Sequence, residues 1–521
     1  MARQQPHLIS PLPPEEESQV ARGGPTAPRS GRVVRDVLFQ SGGRYFGAVI
    51  GIIRGLVIPK LLDPSMYGVF KSYQTLSELS RMATVGIPSA LFRELPIAID
   101  RKEKSRVERL LDNGFWATVL SAAPFAVALF LGGWMGWIRF EDVHFTPWYL
   151  LFVPLLFVDR TKIFFDVVFT GQKQFVFQAK LRMFDEVATT ILCVVGAWAF
   201  AFDGFLAAML VANGLVTAIA WWGSGFKLRH AMDLPLAREM VLVGFPQLVV
   251  GLSNTVYSQL ERLALVTAGF GMAAVGWYSV GMTICDQIGF GSQIIARVLM
   301  PRMMEVYGRR ENIEDIRRFI IYPTRLAGLG YAGLVVAGAF ASEIVFGAWL
   351  TKYAPGLLPT KIMLVGTYFL SVWVTVHPFF LAIKQQRYLL YCFLGTIPLA
   401  IVLFAIVIAL GWGLPGVAVA AAVTDIVFAV AALWLALSFY MPRGERAAEI
   451  LRVFAPLPVA GALWAACEGV RHLAGLSGDK VGGGLLSLVL FCLIFGVSTF
   501  LLLRSAFGRK AFGWDELREI H

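Results

Sequence analysis

Charge is scarce in this sequence. Only 16% of its 521 residues are Asp, Glu, Lys or Arg, against 57% that are hydrophobic, and with a mean hydropathy of +0.66 it is excluded from the ordinary soluble domains. Cysteine is rarer still, and Cys193, Cys285, Cys392, Cys467 and Cys492 all fall inside apolar runs. There they pack as small apolar side chains, which excludes an external disulfide framework. No Walker A sequence is present, so the chain does not hydrolyse ATP, and the residues suggest no metal site, no cofactor and no catalytic group. Acidic residues are outnumbered, 35 against 46 Lys and Arg, for a net charge of +11. Such a balance could mean a nucleic-acid partner, but the basic residues gather in alternate loops, which is the distribution of a membrane protein.

What the chain has in quantity is apolar runs. About fourteen stretches of about 20 residues recur between residues 37 and 504, each long enough to cross the hydrocarbon as a helix. Within a bilayer only helices or closed barrels satisfy the backbone, and these runs are too long for barrel strands. The expected fold class is all-α, a polytopic protein whose first partner is the lipid bilayer. Alternate loops, among them those with Arg101, Lys173, Lys227, Arg309, Lys384 and Arg443, hold 21 basic residues, and the others hold five: Lys60, Arg139, Lys352, Arg471 and Lys480. Both termini are therefore expected in the cytoplasm. Residues 1–30 are polar, proline-rich and expected to be a disordered cytoplasmic tail, with no signal peptide before the first span. Residues 505–521 read as a cytoplasmic interfacial tail. The outer loops are short, leaving no external domain for catalysis.

The sequence also repeats. Sliding it by 208 positions sets Arg54 on Arg262, Gly68 on Gly276, Thr75 on Thr283, Glu78 on Asp286 and Arg101 on Arg309. A slide of 212 continues with Gly204 on Gly416, Asn213 on Asp425 and Trp222 on Trp434. Residues 31–235 and 236–441 read as two six-helix bundles inserted from the same side, a parallel repeat of the kind found in transporters. Residues 442–504 add two further helices.

Several spans carry charge that lipid would not tolerate. On a helical wheel of the first span, Gln40, Gly43, Arg44, Gly47, Gly51, Arg54 and Gly55 share a sector of about 120°, and bulky apolar residues fill the opposite side. The glycines alone describe a packing ridge, and an arginine near a helix end can snorkel. Arg44 lies too deep for that, and Arg54 has a counterpart in the second copy. The second span groups Lys71, Gln74, Glu78 and Arg81, the eighth groups Ser279, Asp286, Gln293 and Arg297, and the fourth groups Asp159, Lys162 and Asp166, with Arg160 nearby. Each such charge costs on the order of 2.5–3.5 kcal/mol at the bilayer centre. Any one pair could simply fix packing, but polar stripes on several helices of both copies call for a shared wet cavity between the bundles. Its cations, Arg44, Arg54, Lys71, Arg81, Arg160, Lys162, Arg262 and Arg297, outnumber its acids, Glu78, Asp159, Asp166, Glu261 and Asp286, and suit an anionic head and phosphate in particular. Glu78, Asp159, Asp166 and Asp286 are the candidate ion-coupling sites. His377 reads as a packing residue.

Three sets of segments resemble the polysaccharide transporters of the multidrug, oligosaccharidyl-lipid and polysaccharide exporter superfamily, which include O-antigen flippases. They are "LLDPSMYGVF" with "VGIPSALFRELP", "FPQLVVGLSNTVYSQLERLAL" with "VGWYSVGMTICDQIG" and "MPRMMEVYG", and "KQQRYLLYCFLGTIP" with "GLPGVAVAAAV". "SGGRYFGAVIGIIR" is similar to the arginine-bearing first span of lipid II flippases. The resemblance implies a twelve-helix core in a fourteen-helix protein of the bacterial cytoplasmic membrane, moving an undecaprenyl-pyrophosphate-linked oligosaccharide by alternating access. It also implies coupling to H+ or Na+ and a place beside polysaccharide polymerase machinery. Two other readings are a multidrug exporter of the same superfamily and an integral-membrane polymerase or glycosyltransferase. The arginine-rich lining disfavours the first, and the short outer loops disfavour the second.

Overall fold

The computed structural model describes residues 30–135, 150–229, 232–476 and 478–505. The expected N-terminal tail, Arg139 and the tail beyond Ser505 lie outside the described residues, as does the side chain of Arg44. No strand occurs among the described residues, and the all-α expectation holds.

Helix α1 (Ser30–Leu61) is followed by α2 (Pro64–Ser80), a 3-10 turn over Arg81–Thr84, and α3 (Ile87–Asp100). The chain bends by 56° between α2 and α3. Gly86 makes the bend, with φ of +81° and its Cα pressed on the backbone of Gly244, so close that a Cβ would lie 2.6 Å from the Gly244 carbonyl carbon. Then come α4 (Lys104–Leu120), α5 (Ala123–Trp134), α6 (Phe152–Gly171) and α7 (Phe175–Ser224). Helix α7 is two helices joined at Phe200 and Ala201, whose backbone angles are not helical. Its two arms close into a hairpin because Gly196 and Gly204 face each other, and a methyl on either would strike the other's carbonyl oxygen.

The remaining long helices are α8 (Leu234–Thr267), α9 (Met272–Arg310), α10 (Ile313–Ile344), α11 (Leu357–Ala382), α12 (Arg387–Ala409) and α13 (Gly413–Leu437). Asn312 caps α10 by accepting from the Glu314 backbone N–H, and Glu314 and Asp315 suit the positive end of its dipole. The chain ends with α14 (Arg443–Phe454), α15 (Pro456–Leu473) and α16 (Gly482–Arg504). Among the described residues eight helices are long and apolar enough to cross a membrane, or nine if the bent α2–α3 pair is one span. The other segments expected to span, α1, α6, α8 and α9, are helices that carry ionisable residues along their length.

The helices fall into two units. The first comprises the chain up to Leu62 together with Leu76–Leu252, and the second comprises Asp63–Thr75 and everything from Ser253 on. The first unit is built around an aromatic cluster in which Phe115, Phe164, Phe165, Trp221 and Phe226 meet edge to face at centroid distances of 5.2–6.2 Å. Within it α1 lies on α7 through its glycines. A Cβ at Gly43 would touch Ala179 at 3.5 Å, and one at Gly47 would touch Glu186 Cγ at 3.3 Å.

The second unit buries Tyr278, Tyr368, Phe379, Phe380 and Phe428 among α9, α11 and α13. Close approach here is also glycine-dependent. Gly68 on α2 rests on the carbonyl of Met272, and Gly276 on α9 rests on the carbonyl of Pro64. Gly68 and Gly276, like Pro64 and Met272, are 208 positions apart, and each glycine rests on the carbonyl near the other.

Helices α14–α16 lie on α10. Gly328 of α10 admits the Val453 backbone and Gly333 admits the Phe495 ring. Two buried ion pairs fasten the ends. Arg325 donates to both carboxylate oxygens of Glu449, at 2.7 and 2.5 Å. Glu343 accepts from Arg471 at 2.6 Å and from Lys361. Arg471, one of the few basic residues expected outside, is thus a packing residue whose remaining N–H groups donate to the Leu476 and Asp479 carbonyls.

Candidate functional site

In the second unit, α8 presents Tyr257, Gln259, Glu261 and Arg262 within two turns. Arg262 is 9% exposed. Its Nη1 donates to Gln259 Oε1 at 3.2 Å, and that oxygen also accepts from Thr75 at 3.0 Å. Arg262 Nε is buried with no hydrogen-bond partner among the described residues. Asp286 on α9 is exposed, and the cations whose fields reach it are Arg262 and Lys71. Lys71 stands over the Tyr67 and Phe70 rings at 5.3 and 5.9 Å. Arg297 is exposed, about 16 Å further along α9 by helical rise.

Beside this group lie Glu261, which the sequence reading counted in the cavity lining, and Asp425, which it did not select. Tyr278 donates to Glu261 Oε2 at 2.6 Å, and Tyr257 donates to Asp425 Oδ1 at 2.6 Å. Glu261 and Asp425 lie within each other's electrostatic reach. Gly366 is required here, because a Cβ would sit 2.5 Å from Asp425 Oδ2. Two like charges in an apolar interior repel strongly unless a proton or cation is shared between them. The repeat alignment of Asn213 on Asp425 held the signal for Asp425, but a lone Asp in an alanine-rich span gave no hint of a tyrosine donor on α8.

In the first unit, every predicted cation whose side chain is described has an acidic neighbour. Arg54 Nη1 lies 3.1 Å from Glu186 Oε2, and Arg81 lies 2.9 Å from Glu78 one turn away. Lys162 donates to Asp185 at 2.8 Å and to Asn213 at 2.6 Å, and Thr189 donates to the other Asp185 oxygen at 3.0 Å. Asp159 accepts from Ser77 at 3.4 Å and lies in the field of Lys162, Arg160 and Arg81. Asp166 is exposed and accepts from Arg182 at 3.0 Å and Gln178 at 2.7 Å, close to the end of α6. Asp185 and Glu186 were missed because they follow Lys180 and Arg182, and the group reads as a charged loop. They stand instead within α7. Arg160 lines nothing: it is 0% exposed, donating to the Ser77 carbonyl at 2.6 Å and to Ser80, where α2 runs out of its own hydrogen bonds.

A cavity of about 1060 Å³ opens elsewhere in the second unit, between Arg309, Arg318, Tyr322, Arg325, Glu449 and Arg452. It holds none of the predicted site residues. Several of its arginines are neutralised, including Arg309 by Glu305, Arg317 by Glu314 and Arg325 by Glu449.

Solved transporter structures share this architecture. The lipid II flippase MurJ in an inward closed conformation superposes with a TM-score of 0.66 at 12% identity, over 90% of this chain and 99% of that one. An inward-facing multidrug resistance MATE family transporter of the MOP superfamily gives 0.58 at 16% identity, over 77% and 95%. The Vibrio cholerae MATE transporter VcmN gives 0.53 at 16%, over 78% and 97%. No curated protein matches the sequence. Fold and embedded charges together define a multi-pass membrane protein of the MurJ and MATE architecture. Within that class the chain belongs to the polysaccharide biosynthesis protein family, which it matches over residues 57–350.

Proposed function

We propose that this protein is a flippase that carries an undecaprenyl-pyrophosphate-linked oligosaccharide, the repeat unit of an O-antigen, capsule or exopolysaccharide, across the bacterial cytoplasmic membrane by alternating access. Membership of a polysaccharide biosynthesis family supports a glycan cargo. The observation that carries the reading is Arg262, a deeply buried guanidinium whose Nε–H has no acceptor among the described residues. An unmet donor of this kind costs on the order of 1–3 kcal/mol, and more for a charged group. A phosphate oxygen meets that need with charge and geometry together. Arg54, the repeat counterpart of Arg262, keeps its guanidinium about one-third exposed and available to a second phosphate.

The chemistry of transport follows from the cargo. A pyrophosphate bearing sugars cannot enter hydrocarbon unaided, while its polyprenyl tail can stay in lipid. The protein has only to replace water around the head. No bond is made or broken, and the chain acts as a transporter and not an enzyme. With both termini in the cytoplasm, cargo is taken from the inner leaflet and delivered to polymerase machinery outside. Without a nucleotide motif the drive is an H+ or Na+ gradient, acting on embedded carboxylates. Asp286, within the field of Arg262 and Lys71, and the tyrosine-held Glu261 and Asp425 suit that role better than Asp166, which is near a helix end and paired.

The test compares Arg262→Ala and Arg262→Lys, and the same pair at Arg54, for surface glycan and for protein in the membrane. Alanine is expected to abolish display at normal abundance, and lysine to retain part of it, since lysine keeps the charge but not the fork. Normal display with alanine at both positions overturns the proposal. The multidrug reading has one observation in its favour: Glu261 and Asp425 stand among Tyr257, Tyr278 and Phe428, a lining suited to organic cations. It requires that Asp425→Asn abolish binding of a quaternary ammonium probe.

A further inference from the structure

We infer that Glu186 is a built-in substitute for the cargo phosphate: it occupies the Arg54 guanidinium in the empty protein and is displaced when the cargo head arrives. The inference rests on the flippase reading and assigns a role to a residue outside the predicted set.

Three observations on one helix contact support it. The first is placement. Gly43 and Gly47 bring α1 against Ala179, Met183 and Glu186, which line one face of α7, and the Glu186 stem packs at the Cα of Gly47. Its carboxylate is thereby delivered to Arg54, two turns further along α1. Packing of α1 on α7 is accomplished by the glycines, and the ion pair is not needed to bring the helices together.

The second observation is the quality of the pair. Arg54 Nη1 and Glu186 Oε2 are 3.1 Å apart, yet Oε2 is buried and accepts no hydrogen bond. The contact is charge against charge without the aligned fork that arginine and carboxylate normally form. Elsewhere in the chain pairs that hold helices together are aligned, as in the two-bonded Arg325–Glu449 and in Lys162 with its two oxygen acceptors. A carboxylate held by attraction alone gives way to a ligand that can offer two aligned oxygens.

The third is access. The Arg54 and Glu186 side chains are 35% and 26% exposed, so the guanidinium keeps an open edge while engaged. An incoming phosphate can bind Nε and the second Nη before Glu186 leaves. The exchange keeps Arg54 neutralised throughout, avoiding a step in which a bare guanidinium faces hydrocarbon.

The experiment measures binding of undecaprenyl pyrophosphate to the purified full chain in detergent, for wild type, Glu186→Gln, Arg54→Ala and the double variant. Removing a competing anion of this exposure should tighten binding by about two- to fivefold. Arg54→Ala should weaken it, and Glu186→Gln added to Arg54→Ala should change nothing further, since the competition is for Arg54 alone. Glu186→Asp, which keeps the charge but draws it back from Arg54, should also tighten binding and serves if the glutamine variant does not accumulate. Wild-type binding with no tightening in either Glu186 variant, or equal tightening with and without Arg54, overturns the inference and leaves the cargo reading standing. Absence of binding in all variants, wild type included, overturns both.

Discussion

At the scale of single residues, a charge within a membrane helix is tolerated beside its partner, and Arg54 and Lys162 each find theirs on α7. A helical wheel gives the direction of Arg54 or Lys162, while the partners Glu186 and Asp185 arrive from a helix more than one hundred positions away in one case. Arg160 shows the opposite failure, since its charge suggested a wet lining and its place is a dry helix end. Arg160→Ala is therefore expected to cost at least about 1.5–3 kcal/mol for the lost charged hydrogen bonds. Thermal unfolding in detergent should show the loss, and Arg160→Lys should not rescue it fully, because both bonds come from the terminal Nη2 and the lysine ammonium ends one bond short of it. An unchanged midpoint for both variants would return Arg160 to the candidate site.

At the scale of helices, the glycine periodicity was legible and its two uses were not separable. Gly43 and Gly47 pack on α7, whereas Gly51, on the same stripe, has nothing within 4 Å of where a Cβ would stand. Gly68, which belongs to no stripe, is the more constrained, because its Cα lies on the Met272 carbonyl. The expected contrast is sharp: Gly51→Ala leaves membrane abundance unchanged, and Gly68→Ala or Gly276→Ala lowers it severalfold by forcing α2 from α9. Quantitative blotting of membrane fractions checks this, and equal abundance for Gly51→Ala and Gly68→Ala would contradict the close crossing. Helix ends were the least legible feature. The break at Phe200 and Ala201 has no Pro or Gly at those two positions, and it is set by the mutual approach of Gly196 and Gly204.

At the scale of the whole molecule, apolar runs established an all-α membrane protein and ordered motifs established its family, because both depend on composition along the chain. The number of spans is less directly written, since helices such as α6 and α9 carry ionisable residues along their length. Orientation rests on the asymmetry of basic loops. Single cysteines at Arg101, Arg309 and Arg443 are expected to stay unlabelled by an impermeant maleimide in intact cells, and cysteines at Lys352 and Lys480 to label. Lys352 is exposed and bonded to Asp63 at 2.8 Å, so its replacement leaves the core untouched. Labelling at 101 or 309 would invert the assigned direction of transport.

The two fastenings of α14–α16 have a consequence for the surrounding lipid. Arg325 and Glu343 are about 27 Å apart along α10, close to the roughly 30 Å of a bilayer's hydrocarbon. The spacing predicts one ion pair near each water boundary of the membrane, with the accessory hairpin spanning the distance between them like a gauge block. In a bilayer of matched thickness both pairs lie at the edge of the oil. In thicker lipid one must be drawn into it, at a cost that grows with each ångström of mismatch. Reconstituted in a series of phosphatidylcholines of increasing chain length, the protein should unfold at its highest temperature near the matched thickness. A Glu343→Gln, Glu449→Gln double variant should flatten that maximum, making bilayer thickness itself a ligand that this pair of carboxylates reads.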